Sequence, residues 1–265
     1  MSGDSSGPFK IAVLGLGEAG SLLAGDLAKS GDKVRGYDPA EVGTPPGVER
    51  HDRPGAAVAG CELVLAVTPG AEAHVLLSSV IDSLDHPTLY ADLSTASPSV
   101  KEELAGMVVA RGMLFADVAL MSSVPGRGLA VPALASGSGA RRLAELFNAR
   151  GGHVEVVGDR AGEAAARKLL RSVVMKGLAA LLIESMEAAE AYGEPDWLWD
   201  HLADQLTSID ASLMERLLLD TEPHAERRLE EMSAAKEMLH GLGVPADMTE
   251  GTIARLHRLV EQQRS

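Results

Sequence analysis

KIAVLGLGEAG, residues 10–20, is the segment that most clearly indicates how this chain folds. A short apolar run ends at Leu14 and gives way at once to three glycines with G-x-G-x-x-G spacing. Helical apolar spacing follows over residues 21–30, and a second short strand pattern, residues 34–37, ends at Asp38. The glycine spacing alone is a weak signal. In the order strand, glycines, helix, strand and acid, it predicts a βαβ unit that binds a dinucleotide.

Each glycine of this turn has a physical reason. Gly15 allows the tight turn, Gly17 lets the backbone approach a pyrophosphate, and Gly20 allows close packing of helix and strand. The N-terminus of the helix adds free N–H groups and the positive end of its dipole. The predicted cofactor contacts, which include turns after later strands, are Gly15, Leu16, Gly17, Glu18, Ala19, Gly20, Asp38, Thr68, Pro69, Ser94 and Thr95.

Asp38 carries the prediction of cofactor type. It lies 18 residues after Gly20, where a carboxylate can accept hydrogen bonds from the ribose diol of NAD. The same charge would repel the 2′-phosphate of NADP, so NAD is favoured over NADP. The alternative is that Asp38 only starts the turn that continues with Pro39.

Strand and helix patterns alternate after this unit as far as residue 158. Strands are predicted over residues 62–68, 88–92, 113–118, 129–136 and 153–157, and helices over residues 71–84, 98–111 and 140–149. This alternation predicts an α/β protein with an N-terminal Rossmann-type domain, a doubly wound and mostly parallel sheet over residues 9–158. Ligands of such sheets bind at the carboxyl ends of the strands, where Gly15, Thr68, Ser94 and Ser122 lie.

Residues 159–265 show no strand pattern and are predicted to form an all-helical domain. Its helices are predicted over residues 161–191, 197–206, 209–219, 222–239 and 249–262. In the first of these, Lys168, Arg171, Ser172 and Lys176 share one arc of the helix. The cations either are solvated or face an anionic ligand.

The same long helix carries an apolar face. The side opposite the cations is covered by Leu169, Leu170, Val173 and Val174, which are expected to be buried. The apolar run over residues 178–183 indicates a face that needs a partner, so we expect a homodimer. Trp197 and Trp199, in the next helix, are expected to be packing anchors.

Composition limits the function classes. Of 265 residues, 46% are hydrophobic and 23% charged, as in a globular protein with a full core. The net charge of -14 argues against nucleic acid or an anionic membrane as a partner. The single cysteine, Cys61, cannot form an internal disulfide. Residues 1–8 are expected to be a disordered polar tail without a signal-peptide pattern, and no apolar stretch reaches the roughly 18 residues of a membrane span, so a cytoplasmic protein is expected.

Three stretches together resemble the β-hydroxyacid dehydrogenase superfamily, which includes 3-hydroxyisobutyrate and 6-phosphogluconate dehydrogenases. They are the glycine-rich opening, the D-L-S-T-A-S-P run of residues 92–98, and Lys168 with Ser172 four residues later, where the family carries a catalytic lysine and an asparagine. More narrowly, RKLLRSVVMKGLAALLIESMEAAE and HAERRLEEM resemble a branch whose phosphogluconate-dehydrogenase-like C-terminal domain has an unknown function. The resemblance implies that Lys168 is the catalytic acid/base and that Ser94 and the loop after residue 120 bind substrate.

The chain departs from the family pattern in that loop and in the helix. The family usually has Ser-Gly-Gly where this chain has Ser122 and Ser123, and Arg127 beyond them is either an anion clamp or a surface residue. A family glutamate that serves in decarboxylation is replaced by Met175. The predicted substrate contacts are Ser94, Ser122, Ser123, Arg127, Arg171 and Ser172.

Together these observations predict an NAD(P)-dependent oxidoreductase that acts on the CH–OH group of a small anionic hydroxy acid, with NAD as cofactor and no metal. Neighbouring cations and partial burial would both lower the pKa of Lys168, which suits proton transfer. One alternative is an imine or keto reductase of a biosynthetic pathway. Another is a non-catalytic dinucleotide-binding sensor. His224, Arg227 and Arg228 either reach the substrate or pair with acids of their own helix.

Overall fold

The computed structural model describes residues 8–85, 87–207 and 210–264. The expected tail, residues 1–8, lies outside the described residues except for Pro8. The chain divides into two compact units, one ending at Arg171 and the other beginning at Ser172. They are called the first and second unit below. A domain boundary after residue 158 is not tested by this division and stays a prediction.

The first unit is built on one eight-stranded sheet. Its strands are β1 Lys10–Leu14, β2 Lys33–Tyr37, β3 Val48–Arg50, β4 Leu63–Ala66, β5 Leu89–Asp92, β6 Leu114–Leu120, β7 Pro132–Ser136 and β8 His153–Gly158. Their order in the sheet is β3-β2-β1-β4-β5-β6-β7-β8. Every neighbouring pair is parallel except β6 and β7, which are antiparallel. The predicted fold class, a mostly parallel Rossmann-type sheet, is confirmed.

Helices cover both faces of this sheet. They are α1 Glu18–Lys29, α2 Pro54–Val58, α3 Ala73–Val80, α4 Pro98–Val109 and α5 Ala140–Asn148. Within β1, Ile11 and Val13 belong to one buried cluster with residues of α1 and α5, whereas Ala12 and Leu14 belong to another with residues of α2, α3 and α4. Side chains of a strand alternate between faces, so a strand buried on both faces reads as a continuous apolar run.

The predicted elements differ from the observed ones mainly at their ends. The helix predicted over residues 71–84 is divided into a 3-10 turn over residues 70–72, α3, and a second 3-10 turn over residues 81–83. The strand predicted over residues 129–136 begins only at Pro132, because a 3-10 turn occupies residues 128–130. Strand β3 and helix α2 are absent from the prediction, since three and five residues are too short to show a period.

The second unit contains helices and, among its described residues, no strand. Helix α6, Glu163–Tyr192, begins in the first unit and ends in the second. The others are α7 Pro195–Thr207, α8 Ala211–Leu219, α9 Ala225–Leu242 and α10 Asp247–Arg264. Residues 208 and 209, where a helix start is predicted, lie outside the described residues.

Glu184 ties α6 to the start of α10. Its Oε2 accepts a hydrogen bond from the Met248 N–H at 2.6 Å, and its Oε1 accepts from the Thr249 N–H at 2.9 Å and hydroxyl at 2.7 Å. The first N–H groups of a helix have no partner within it, so this buried carboxylate caps α10 from another helix.

The apolar face of α6 is not buried within the chain. Leu169 is half-buried, but Leu170, Val173 and Val174 are 70%, 72% and 66% exposed. The expectation of burial is therefore wrong for the last three of these side chains in a single copy. Trp197 and Trp199 are also exposed, so they are not core anchors here. The reason is that the buried apolar clusters of the second unit are small, three residues each, and are made mainly of α9 and α10 with Ala188 of α6. Among the described residues, none of the helices is long and apolar enough to cross a membrane.

Candidate functional site

The glycine-rich turn between β1 and α1 is packed too closely for side chains at two of its glycines. Gly15 has φ +99°, and a Cβ there would overlap the Val67 carbonyl oxygen. A Cβ on Gly20 would overlap the Gly15 carbonyl oxygen, so Gly20 allows α1 to approach the turn. A Cβ on Gly17 would meet nothing within 4 Å among the described residues. The turn therefore leaves space in front of Gly17.

Helix α1 begins at this open space. Gly17 is its N-cap, and no described side chain caps this end. The first hydrogen bond of the helix runs from the Ser21 N–H to the Gly17 carbonyl at 2.9 Å. The N–H groups of Glu18 and Ala19 lie before it and have no acceptor within the helix. Such an end attracts an anion through its free donors and its dipole.

Asp38 holds the glycine-rich turn as well as its own. Its Oδ2 accepts a hydrogen bond from the Leu16 N–H at 2.7 Å, and its Oδ1 accepts from the Ala40 N–H at 2.8 Å. The Leu16 N–H is therefore already used, and its side chain is buried. The turn-forming alternative for Asp38 is thus part of its role. Since an ionised carboxylate offers about four acceptor positions, Asp38 can still accept from a ligand.

Two arginines near Asp38 donate hydrogen bonds to backbone carbonyl oxygens. Arg50 donates to the carbonyl oxygens of Asp38, Ala40 and Val42 at 3.1, 2.7 and 2.8 Å, which holds the loop after β2. Arg35 donates to the Ala59 carbonyl oxygen at 2.7 Å. A cleft of about 600 Å³ lies between this loop and the turn after β4. Among its described lining residues, the charged ones are both acids, Asp38 and Glu72.

The turns after β4 and β5 lie side by side. A Cβ on Gly70 would lie 2.8 Å from the Thr95 carbonyl oxygen. Thr68 Oγ1 and Ser94 Oγ are both buried, and neither has a hydrogen-bond partner among the described residues. Buried hydroxyls are normally bonded, so these two are free to bind a ligand or water. Pro69, predicted with them, is exposed.

Lys168 lies at the turn after β5. Its Nζ donates to Thr95 Oγ1 at 3.0 Å, and its side chain is half-buried. One turn later on the helix, Arg171 donates to the Met121 carbonyl oxygen at 2.8 Å, next to the exposed Ser122 and Ser123. The structure thus brings the predicted lysine, the D-L-S-T turn and the start of the loop after β6 together at one edge of the sheet.

Other predicted substrate residues are not part of this group. Arg127 is exposed and precedes the 3-10 turn over residues 128–130, which Asp26 holds on α1 by accepting the Leu129 N–H at 3.1 Å. Asp26 lies near the C-terminal end of α1, away from the glycine-rich turn. Ser172 opens the second unit and is half-buried there. Binding roles for both residues stay predictions.

Beneath the site is a charged cluster that the sequence analysis missed. Lys101 Nζ lies 3.1 Å from Asp117 Oδ1 and 3.5 Å from Asp92 Oδ1, and it donates to the Asp92 carbonyl oxygen at 2.9 Å. All three side chains are buried. Burial, and then the charge of Asp92, raise the pKa of the adjacent Tyr90 well above its usual value, so that phenol stays neutral. Asp92 belongs to a recognised motif, but Lys101 reads as an ordinary surface lysine of α4.

In the second unit, Arg228 near the start of α9 has an ordinary structural partner, whereas the alternatives for His224 and Arg227 stay predictions. Arg228 donates to Thr221 Oγ1 at 2.7 Å, and Glu226 pairs with Arg264 at 2.6 Å. Over the part of the chain that the structure describes, no group of three or more His, Cys, Asp or Glu side chains could hold a metal ion.

The residues of the first unit fit a bound dinucleotide. The space at Gly17 and the uncapped start of α1 suit a pyrophosphate, the acid-lined cleft suits an adenosine with a ribose diol, and two orphaned hydroxyls face the adjoining turns. Lys168 beside them is a group that can take or give a proton.

Two protein families match parts of this chain. Residues 10–158 match the family described as the NAD binding domain of 6-phosphogluconate dehydrogenase, and residues 189–259 match a domain of unknown function, DUF1932. A probable 3-hydroxyisobutyrate dehydrogenase of Mycobacterium tuberculosis is 28% identical over 191 residues, which are 69% of this chain and 65% of that protein. The match therefore spans just under two thirds of the relative's length.

Solved structures extend the similarity over nearly the whole chain. A conserved protein of unknown function, described as similar to 3-hydroxyacid dehydrogenases, is 26% identical with a TM-score of 0.57, covering 96% of this chain and 97% of that one. A reductive aminase from Aspergillus terreus, solved with NADPH, is 20% identical with a TM-score of 0.80, covering 96% of this chain and 94% of that one. The second likeness shows the fold alone. By its matched domains and its fold, the chain belongs to the β-hydroxyacid dehydrogenase superfamily, as an NAD(P)-binding member with a helical C-terminal region.

Proposed function

We propose that this protein is an NAD-dependent dehydrogenase of a small anionic hydroxy acid, with Lys168 as the general acid/base. The observation that carries the proposal is the hydrogen bond from Lys168 Nζ to Thr95 Oγ1, 3.0 Å long, beside the unpartnered Ser94 hydroxyl. A titratable amine and a free buried hydroxyl thus lie at the carboxyl edge of a dinucleotide-binding sheet, where ligands of such sheets bind.

The preference for NAD rests on the charges around the cleft. The bound nicotinamide would supply the hydride acceptor or donor. Asp38 keeps acceptor positions for a ribose diol, and Asp38 with Glu72 would repel a 2′-phosphate. Arg50 of β3, which holds this loop, already donates to three carbonyl oxygens and would have to give these up to bind a phosphate.

The substrate class rests on the cations and hydroxyls around Thr95. Lys168 takes the hydroxyl proton as the substrate is oxidised and returns it in the reverse direction. Ser94 orients the reacting oxygen, while Arg171 with Ser122 and Ser123 favours a carboxylate. Arg127 and Ser172 are further candidates for contacts with the substrate. We expect a cytoplasmic homodimer that binds neither nucleic acid nor a membrane, in keeping with the net charge of -14.

The test is a panel of substrates, with turnover measured by the absorbance of the reduced nicotinamide. Purified protein is offered NAD and hydroxy acids, neutral alcohols of matched size, and, in the reductive direction, keto acids and cyclic imines with NADH or NADPH. We expect turnover of at least one hydroxy acid, with little on its neutral counterpart. Turnover confined to imines would establish the reductase alternative, and cofactor binding without any turnover would establish the sensor. Equal rates on neutral alcohols would contradict the anionic substrate.

A further inference from the structure

We propose that Asp117, together with Lys101 and Asp92, is a positioning residue for Lys168. The three buried side chains fix the start of α6 and the turn after β5 to one another, and so hold the lysine at Thr95. This inference rests on the proposed function of Lys168, because a positioning role has meaning only if the lysine acts in the reaction.

The first observation is the unusual cap of α6. Asp117 Oδ2 accepts hydrogen bonds from the N–H groups of Gly162 at 3.1 Å and Ala165 at 3.0 Å. Ser136 Oγ accepts from the Ala164 N–H at 3.0 Å and donates to Asp117 Oδ2 at 3.2 Å. The N–H groups at a helix start are usually satisfied by the residue just before the helix. Here two strand residues do so, so the helix start is fixed to the sheet.

The second observation is the charge of the cluster. Lys101, Asp92 and Asp117 are all within 1% of complete burial, and one lysine faces two carboxylates. Burying an unpaired charge is costly, so the excess negative charge needs a further partner. The N–H groups and the positive dipole end of α6 provide one. The carboxylate of Asp117 and the helix start therefore stabilise each other.

The third observation links the cluster to both partners of the Lys168 hydrogen bond. Asp92 Oδ1 accepts the Ser94 N–H at 2.8 Å, which shapes the turn that carries Thr95. Ala165, bonded to Asp117, lies three residues before Lys168, within one helical turn. Lys101 bridges the two carboxylates. Movement of either end would change where the lysine amine meets Thr95.

The experiment compares Asp117→Asn with Glu184→Gln, a matched control. Glu184 accepts hydrogen bonds from two backbone N–H groups and one hydroxyl at the start of α10, as Asp117 does at the start of α6. The capped helix α10 does not carry Lys168. We expect Asp117→Asn to lower kcat about 10- to 100-fold with KM and the NADH Kd within about threefold, because misplacement of a catalytic group costs rate rather than binding. Glu184→Gln should lower Tm but leave kcat within about twofold.

A second variant and a second measurement keep the test decisive. If Asp117→Asn does not fold, Ser136→Ala is measured by the same criterion; it removes the bond to the Ala164 N–H and the hydroxyl bond to Asp117 but keeps the carboxylate. Hydrogen exchange at residues 162–166 should be faster in the Asp117 variant and unchanged in the Glu184 variant. A loss of Tm without a loss of kcat in the Asp117 or Ser136 variant would reduce the cluster to a stabilising role and overturn the proposal.

The two proposals fail in different ways. If Lys168→Met keeps its activity, the proposed acid/base is wrong and the positioning role falls with it. If Lys168→Met is inactive and the Asp117 and Ser136 variants keep full kcat, only the positioning role is wrong.

Discussion

Lys168 is the residue at which the chemistry can be tested most directly. Lys168→Met keeps the length and helix propensity of the side chain but removes the titrating amine. We expect kcat to fall by roughly 10²- to 10⁴-fold, the usual contribution of a positioned acid or base. The NADH Kd should not change, because the glycine-rich turn and Asp38 are bonded independently of Lys168. Steady-state kinetics and a fluorescence titration measure the two quantities.

Lys176→Met is the matched control for that substitution. Lys176 lies two turns further along α6 and is exposed. Its variant should keep kcat within about twofold. If Lys168→Met loses less than about tenfold while Lys176→Met loses more, the acid/base assignment moves to Lys176.

Asp38 is the residue at which cofactor choice can be tested. Asp38→Asn removes the charge but keeps one acceptor oxygen for the Leu16 N–H, which alanine would lose. We expect NADH to bind about tenfold more weakly and NADPH more tightly, because one ribose bond is weakened and a repulsion is removed. Fluorescence titration with both cofactors measures the ratio. Glu41→Gln, at an exposed position of the same loop, should leave it unchanged. A wild-type protein that prefers NADPH would contradict the prediction.

The sequence predicts single residues well where a motif fixes a backbone geometry. Gly15 and Gly20 follow from spacing, because close backbone contacts require glycine at both positions. The hydrogen bond between Lys168 and Thr95 is seen only in the structure, since the resemblance implies a role for Lys168 but not this contact. The bonds of Lys101 to Asp92 and Asp117 could not be predicted. They join three elements, and the burial of a charge depends on how those elements pack rather than on local sequence.

At the scale of elements, Glu184 gives a prediction about pH. Burial raises the pKa of this carboxyl. The hydrogen bonds from Thr249 and Met248 together lower that pKa by more, so it lies below the ordinary value of 4.5. A carboxyl with a lowered pKa stabilises the folded state above its unfolded value, and that contribution is lost as pH falls through the folded value. Glu184→Gln should therefore lower the free energy of unfolding by about 1–2 kcal/mol at pH 7. The difference from the wild type should shrink below pH 4.5.

The measurement can be confined to the second unit. Both tryptophans of the chain, Trp197 and Trp199, lie in α7, so their fluorescence follows the unfolding of that unit in urea. Wild type and variant are compared at pH 7 and pH 3. An equal difference at both values would show that the ionised carboxylate is not what caps α10.

Elements were predictable in proportion to their length and to the clarity of their ends. Helix α4 follows from Ser97 and Pro98, whose capping and first-turn roles are both observed. Strand β3 and helix α2 have too few residues for a period to emerge. The prediction for the exposed side of α6 is wrong because apolar residues on a helix indicate a contact face without indicating which molecule covers it.

At the scale of the molecule, that face predicts self-association. Leu170, Val173 and Val174 form an exposed apolar stripe on α6, and contiguous apolar surface of this kind marks an interaction site. We expect a dimer at micromolar concentration by sedimentation equilibrium. Val173→Lys should weaken it at least about tenfold, because a charge would be buried at the contact.

Val109→Lys serves as the control for the dimer. Val109 is 50% exposed but ends α4, a different helix from the one that carries the stripe. Its variant should associate like the wild type. A wild-type protein that sediments as a monomer would rule out the homodimer.

The cap that Asp117 places on α6 also bears on how the protein is made. Asp117 lies in β6, but it meets the Ala165 N–H only after 48 further residues have been added to the nascent chain. At roughly 5–20 residues per second, that interval lasts about 2 to 10 seconds. Throughout it, the lysine and two carboxylates that the finished protein buries lack the helix that closes over them. Strands of the sheet are therefore synthesised before the start of α6. The carboxyl edge of the sheet is complete only when the segment bearing Lys168 has been translated.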